Sequence, residues 1–374
     1  MSAAARQPGP PIPLTVLTGF LGAGKTSLLN RLVKDPALSD TAVIINEFGE
    51  IGIDHLLVDY VDDGVVMLTT GCLCCTMRGD LVTALEDLLR GLDNGRISFR
   101  RVVVETTGLA DPAPVLHTAM VHPYLLLRFR LDGVVTVVDA VNGAATLDAH
   151  PEAVKQIAVA DRIVLSKTDL LDTPERRAAH DRLRARLARL NPAAPVLDVA
   201  AGEAIPARLF DCGLYNPATK IADVNRWLAA EAYEAAQDRH AHAHDVNRHD
   251  DHIRAFSLAT EQAIPAGAFD MFLELLRSVH GPNLLRLKGV VKIAETPDTP
   301  VVLHGVQHVF HPTAQLERWP DEDRRTRIVF IVRDIEPEKI RELFDAFLSA
   351  AAPDRPDRAA LLDNPLVPFG GMDR

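Results

Sequence analysis

The sequence predicts an α/β chain: a mostly parallel sheet covered by helices, then a smaller α+β domain. Three observations lead there. Between Leu14 and about Val199, short β-branched runs alternate with helical patterns, as strands buried on both faces of a parallel sheet do. Beyond residue 252 strand patterns dominate, with two helical patterns among them. The chain has 374 residues, 47% of them hydrophobic, enough to bury at least one large core, and the length suggests two or three domains.

The elements follow in order. Leu14–Thr18 reads as the first strand and Lys25–Lys34 as the helix after it. Thr41–Asn46, Val65–Leu68, Arg101–Glu105, Gly133–Ala140 and Arg162–Lys167 read as further strands, with Gly79–Arg90, Asp111–Ala119 and Pro174–Leu190 as covering helices. Asp223–Ala236 reads as a last helix of this domain. Residues 237–252, QDRHAHAHDVNRHDDH, are polar and rich in histidine, which marks a linker. Ile253–Thr260, Leu284–Ala294, Val301–His304 and Arg327–Val332 then read as strands, and Pro265–Val279 and Glu336–Ala351 as helices. The expected divisions are an arm at 1–13, a first domain at 14–236, the linker, a second domain at 253–350 and a tail at 351–374.

Composition excludes several classes. A formal net charge of −11 argues against a nucleic-acid surface. No apolar run is long enough to span a bilayer, and MSAAARQPGPPIP has no apolar stretch of the kind a secretory signal needs. Three of the four cysteines, Cys72, Cys74 and Cys75, lie within four residues, with Cys212 far away. Neighbours that close are poorly placed to bridge one another. Clustered free thiols suit the reducing cytoplasm, where a metal site is the leading expectation.

GFLGAGKT, Gly19–Thr26, fits the phosphate-loop pattern G-x-x-x-x-G-K-[ST] between a strand and a helix. The glycines let backbone N–H groups approach phosphate oxygens, and the helix that follows turns its positive end to the anion. Gly22, Ala23, Gly24, Lys25, Thr26 and Ser27 are the expected nucleotide contacts. Lys25 would meet the β- and γ-phosphates, and the Thr26 hydroxyl would serve Mg²⁺. SKTD, Ser166–Asp169, resembles the N-K-x-D base-reading element of GTPases, with serine in the first position. A carboxylate such as Asp169 accepts two guanine donors that adenine lacks, while the Lys167 stem lies along the base. Taken alone, four such residues also fit a plain strand end. In ETTG, Glu105–Gly108, the acid at the end of a buried strand would hold Mg²⁺ through water and Gly108 would offer its N–H to the γ-phosphate.

Three thiolates in C-x-C-C suit a soft or borderline ion such as Zn²⁺. The spacing is not that of a closed structural zinc site, and suggests one that loads and releases. NEFGEIGIDH, Asn46–His55, follows a strand and presents Glu47, Glu50, Asp54 and His55. It reads as a switch loop that orders around γ-phosphate and Mg²⁺ and brings carboxylates toward the thiolates. The linker histidines His240, His242, His244, His249 and His252 either gather metal weakly or form a polar tether. His304, His308 and His311 read as ordinary surface or satisfied residues.

LTGFLGAGKTSLLN, NEFGEIGID, TTGCLCCTMRGDL, VVVETTGLADPAPV, LDGVVTVVDAV and ADRIVLSKTDL together resemble the CobW family of metallochaperone GTPases, in particular its YjiA-like branch. LLRLKGVVKI and VLHGVQHVF resemble that family's C-terminal domain, so the likeness runs from Leu14 to about Ala350. It implies a P-loop GTPase domain, Mg²⁺-dependent hydrolysis of GTP, and Zn²⁺, or alternatively Co²⁺, held by Cys72, Cys74 and Cys75 for a metal-dependent client protein. It further implies Glu50 as an added ligand, with Glu47 nearby, and Asp54 as the residue that positions the attacking water. Lys25, Asp54 and Glu105 are then the catalytic set. Some relatives carry a glutamate just before the switch asparagine, where this chain has Ile45. No arginine finger is assigned, so intrinsic turnover is expected to be slow. A homodimer is compatible with this reading. The competing readings are a zinc reservoir or sensor in which nucleotide only sets affinity, and an ATP-using kinase or ligase, against which Asp169 speaks.

Overall fold

The computed structural model describes residues 10–46, 57–61, 65–70, 77–210, 252–307, 309–310 and 313–350. Eight strands form the first sheet: β1 (Ile12–Thr18), β2 (Thr41–Asn46), β3 (Leu57–Val61), β4 (Val65–Thr70), β5 (Arg101–Glu105), β6 (Phe129–Asp139), β7 (Arg162–Ser166) and β8 (Val196–Asp198). Their order is β3–β4–β2–β5–β1–β6–β7–β8. β3 runs antiparallel to β4, and every other pairing is parallel.

Helices cover both faces: α1 (Lys25–Leu32), α2 (Met77–Asp93), α3 (Ala113–Val121), α4 (Pro123–Arg128), α5 (Gly143–Ala149), α6 (Pro151–Ala158), α7 (Pro174–Leu190) and α8 (Pro206–Leu209). Alternate residues of one strand leave by opposite faces, and here both faces are dry. Val102 and Val104 of β5 pack with Leu81, Leu85 and Leu88 of α2, while Val103 packs with Leu28, Leu29 and Leu32 of α1. This explains why the strands read as continuous apolar runs rather than alternating ones.

The second sheet contains β9 (Ile253–Thr260), β10 (Leu284–Val291), β11 (Val301–Val306), β12 (Val309–Phe310), β13 (Ala314–Gln315) and β14 (Thr326–Arg333), with α9 (Ala266–His280) and α10 (Pro337–Ala350). It is antiparallel, in the order β12–β11–β10–β14–β9, with β13 beside β11. One face belongs to its own helices: Phe256, Ile328 and Phe330 pack with Phe272, Leu276 and Phe344. The other face turns to the first domain. Ala255, Val329 and Ile331 share a buried cluster with Ile157, Ile163, Leu183 and Leu187.

Several boundaries differ from expectation. The predicted strand Leu284–Ala294 ends at Val291, after which Ile293 makes an isolated bridge with Ile264. The first helix stops at Leu32, not Lys34. Lys167 has left its strand and adopts φ 59°. α5 and α6 escape prediction because Pro151 breaks the pattern into pieces of seven and eight residues, too short for periodicity to show. The predicted helix Asp223–Ala236 and the histidine linker up to residue 251 lie outside the described residues.

Candidate active site

The carboxyl ends of the parallel strands carry the site, as in open α/β sheets generally. At β1 the chain turns through Gly19, Gly22 and Gly24, with φ of 140°, 70° and 92°. Gly19 also lies so near β6 that a Cβ there would sit 2.3 Å from the Val137 carbonyl oxygen. Glycine is required for both reasons. α1 begins with no side-chain cap, leaving its first N–H groups directed at an incoming anion. Leu28, Leu29 and Leu32 bury its inner face, so the loop rests on a fixed helix.

Lys25 is buried, and its Nζ donates to the Gly19 and Phe20 carbonyls at 2.9 and 3.3 Å. The ammonium is thus held at the mouth of the loop. The Thr26 hydroxyl donates to Glu105 Oε1 at 2.7 Å. Two residues 79 apart, both expected at Mg²⁺, therefore meet side by side. Glu105 is 4% exposed, and the following Thr106 bonds Thr18 Oγ1 at 2.8 Å and the Leu17 carbonyl at 2.9 Å. Gly108 presses on the phosphate loop: a Cβ there would lie 2.5 Å from the Leu21 nitrogen.

The turn after β7, expected to read the base, is equally ordered. The Ser166 hydroxyl donates to the Ala23 carbonyl at 2.6 Å, tying β7 to the phosphate loop. Lys167 reaches back to Asp139 Oδ2 at 2.7 Å, and Asp169 stands exposed in the turn that follows.

Sequence reasoning missed three supporting residues. Asp139 ends β6 and accepts from Lys167, from the Asn142 side chain and from the Val141 and Asn142 N–H groups. Burial would raise its pKa, but these donors outweigh it and hold the carboxyl below its usual range. Asp198 ends β8, accepts from Thr168 at 2.6 Å and from the Ala200 and Ala201 N–H groups, and is likewise lowered against the effect of burial. It shapes the turn at 199–202 on the same edge. Gln156 is the third, described below. An acid closing each strand was the available signal for the first two.

The residues expected to hold metal or to act in the switch stand differently. Cys72, Cys74, Cys75, Glu47, Glu50 and Asp54 lie outside the described residues. Among the described residues no group of three or more His, Cys, Asp or Glu side chains converges on a metal position. The strands that lead into both segments are described. β2 and β4 are parallel neighbours, and Asn46 pairs with Thr70 at their ends. His304, read as an ordinary residue, is buried at 2% exposure in the domain junction, where it acts on Asp161; His308 and His311 lie outside the described residues.

Residues 13–198 match the family described as CobW/HypB/UreG, nucleotide-binding domain, and residues 253–348 match the cobalamin synthesis protein cobW C-terminal domain. The zinc chaperone YjiA of Escherichia coli K12 is 35% identical over 335 residues, covering 89% of this chain and 98% of that protein. This chain belongs to the CobW/HypB/UreG family. The zinc chaperone CobW of a Sinorhizobium species is 30% identical, with 90% of this chain and 97% of that protein covered. The crystal structure of Zn(II)-bound YjiA GTPase from E. coli superposes with a TM-score of 0.64 at 29% identity, over 91% of this chain and 99% of that one. The family's P-loop GTPase fold and separate C-terminal domain are thus both present. No helix among the described residues is long and apolar enough to cross a membrane.

Proposed function

We propose that this protein is a GTP-hydrolysing metallochaperone that binds Zn²⁺, with Co²⁺ as the alternative cargo, and releases it to a client protein under nucleotide control. The observation that carries the reading is the convergence of Lys25, the Thr26–Glu105 pair and the Ser166–Asp169 turn on one sheet edge. The cargo reading is supported by the zinc chaperones to which the chain is similar. It is also supported by the adjacent exits of β2 and β4, from which the segments with Glu47, Glu50, Cys72, Cys74 and Cys75 depart.

Lys25 would exchange its two carbonyl partners for the β- and γ-phosphates. Asp169 would accept the two donors of guanine, with Lys167 beside the base. The Thr26 hydroxyl and Glu105 carboxylate, 2.7 Å apart, are hard oxygen donors that fit Mg²⁺. Bound Mg²⁺ would neutralise charge on the β- and γ-oxygens. Asp54 would orient the water that attacks the γ-phosphorus, so that GDP and phosphate leave. The three thiols would lose protons on taking the ion.

Steady-state phosphate release with GTP and with ATP, in wild type and in Asp169→Asn, tests the nucleotide assignment. Loss of affinity confined to GTP supports it, and equal wild-type affinity for the two nucleotides contradicts it. Acceleration of turnover by an apo client, with zinc appearing in that client, separates delivery from a reservoir.

A further inference from the structure

Gln156, on α6, is 1% exposed. Its side-chain amide has two N–H donors, and Nε2 donates to the carbonyls of Gly108 at 3.2 Å and Ala110 at 3.1 Å. Both belong to the loop after β5 that presses on Leu21 of the phosphate loop. The Gln156 main-chain carbonyl accepts from the Thr136 hydroxyl of β6 at 2.8 Å, so α6 is braced against the sheet at this residue. A buried amide whose two donors both go to one loop is a clamp on that loop, because releasing it leaves buried polar atoms unpaired.

Just beyond Gln156, the C-terminal end of α6 is tied to the C-terminal domain. The Val159 carbonyl accepts from Arg286 Nη1 of β10. Asp161 Oδ1 accepts from Arg286 Nη2 and Lys288 Nζ, each at 2.5 Å, while Oδ2 accepts from the Val134 N–H at 2.9 Å. Asn191 holds the connecting turn by donating to the Ile157 and Ala160 carbonyls at 2.8 and 2.9 Å. A second bridge leaves the loop directly. Asp111 accepts from Gln307 Nε2 at 3.1 Å, and Lys155 of α6 lies 3.5 Å from the same carboxylate oxygen. Gln307 sits between β11 and β12 with φ 54°, a costly conformation that persists only where its surroundings fix it.

We propose that Gln156 is a positioning residue for the Gly108 loop, and that α6, with the Asp111–Gln307 contact, couples the nucleotide site to the β10–β11 face of the C-terminal domain. The proposal rests on the GTPase reading above. A γ-phosphate that draws in the Gly108 N–H must shift a loop wedged against Leu21. That shift pulls on Gln156, whose helix is tied to β10 through Val159 and Asp161, and on Asp111, which Gln307 holds directly. Coupling is reciprocal: whatever engages the C-terminal sheet and favours one arrangement of α6 must change the preference for GTP over GDP by the same factor.

The test uses full-length protein with GDP and with a non-hydrolysable GTP analogue. Affinities come from calorimetry, and amide exchange is followed over residues 284–307. The wild type should show different protection there in the two nucleotides. In Gln156→Leu, GDP affinity should stay within about twofold, the ratio of analogue to GDP affinity should fall by about 5- to 150-fold, and the protection difference should vanish. Gln307→Ala changes a residue that is only partly buried and so leaves the cores intact. It should shrink the protection difference at β11 with GDP affinity unchanged. A purely structural role for Gln156 would lower thermal stability without moving the affinity ratio. A wild-type ratio in Gln156→Leu, or identical protection in the two nucleotides for the wild type, overturns the coupling while leaving the GTPase assignment standing. Failure of the wild type to bind guanine nucleotide overturns the GTPase reading itself.

Discussion

Ser166 shows how much one hydroxyl does at this site. It ends β7, before the turn expected to read the base, and bonds the Ala23 carbonyl of the phosphate loop at 2.6 Å. Ser166→Ala would strand a buried acceptor at a cost of about 1–3 kcal/mol. Nucleotide affinity should fall by roughly 5- to 100-fold in a calorimetric titration; an unchanged affinity would mean that the link is incidental. Lys25 is the second decisive residue, since its charge is the only ammonium the phosphate loop itself contains. Lys25→Ala should slow phosphate release by at least about 10²- to 10³-fold, as does loss of a donor aimed at developing charge. Normal turnover in that variant would put the site elsewhere. Gly108→Ala tests the contact between loops. The added methyl carbon would lie 2.5 Å from Leu21 nitrogen, so the loop must retreat. A displacement near 1 Å costs on the order of 10²-fold in rate, and single-turnover kinetics should record it while GDP binding persists.

At the scale of elements, the junction between α6 and β10 is held by charge inside an apolar seam. Burial would raise the Asp161 pKa, but Arg286 and Lys288, with His304, hold its carboxyl well below the usual range. Lys288 moves the other way. Burial disfavours its ammonium, the Asp161 charge offsets this only in part, and the pKa is pushed down to about 8. The sign follows from proton counting. Between about pH 8 and the ordinary lysine value of 10.5, the unfolded chain holds a proton that the folded chain has released. Stability contributed by Lys288 therefore rises with pH across that window and is flat below it. In urea melts from pH 7 to pH 10, the wild type should gain on Lys288→Met by at most about 3 kcal/mol. A pH-independent difference between the two would contradict the burial of this charge. The strands themselves are less vulnerable. β14 pairs along its whole length with β9, and Phe256 stacks on Phe330 with ring centroids 5.0 Å apart.

At the scale of the molecule, the expected property is linkage between metal and nucleotide. The segment expected to act as a switch, at 46–54, and the cysteine segment follow neighbouring strands, β2 and β4, so ordering of one around GTP would alter the carboxylates available to the other. Zinc should bind more tightly in the GTP-analogue state than in the GDP state, by about 5- to 150-fold, and zinc must tighten GTP binding by the same factor. Competition with a chromophoric chelator in the two states measures it. Equal affinities would sink the switch and leave a structural zinc on a GTPase. Affinity in either state should rise with pH until the thiols are ionised.

The α/β class, the positions of the long strands along the chain and the phosphate loop were determined by the sequence itself, because each depends on local chemistry. Buried parallel strands must be continuously apolar, and a backbone that wraps an anion needs Gly19, Gly22 and Gly24 where they stand. The likeness of short motifs carried the family as well, since Lys25, Glu105 and Asp169 each fall at or just after the carboxyl end of a strand, in the segment that leads out of it. Only the tertiary structure decided which distant residues meet. Thr26 touches Glu105, Ser166 reaches Ala23, Gln156 clamps Gly108, and Asp161 takes Arg286 and Lys288 from the other domain. No local pattern encodes these contacts. They exist because parallel strands far apart in the chain end at one edge, and because the C-terminal sheet, apolar on both faces, needs its own helices on one side and the first domain on the other.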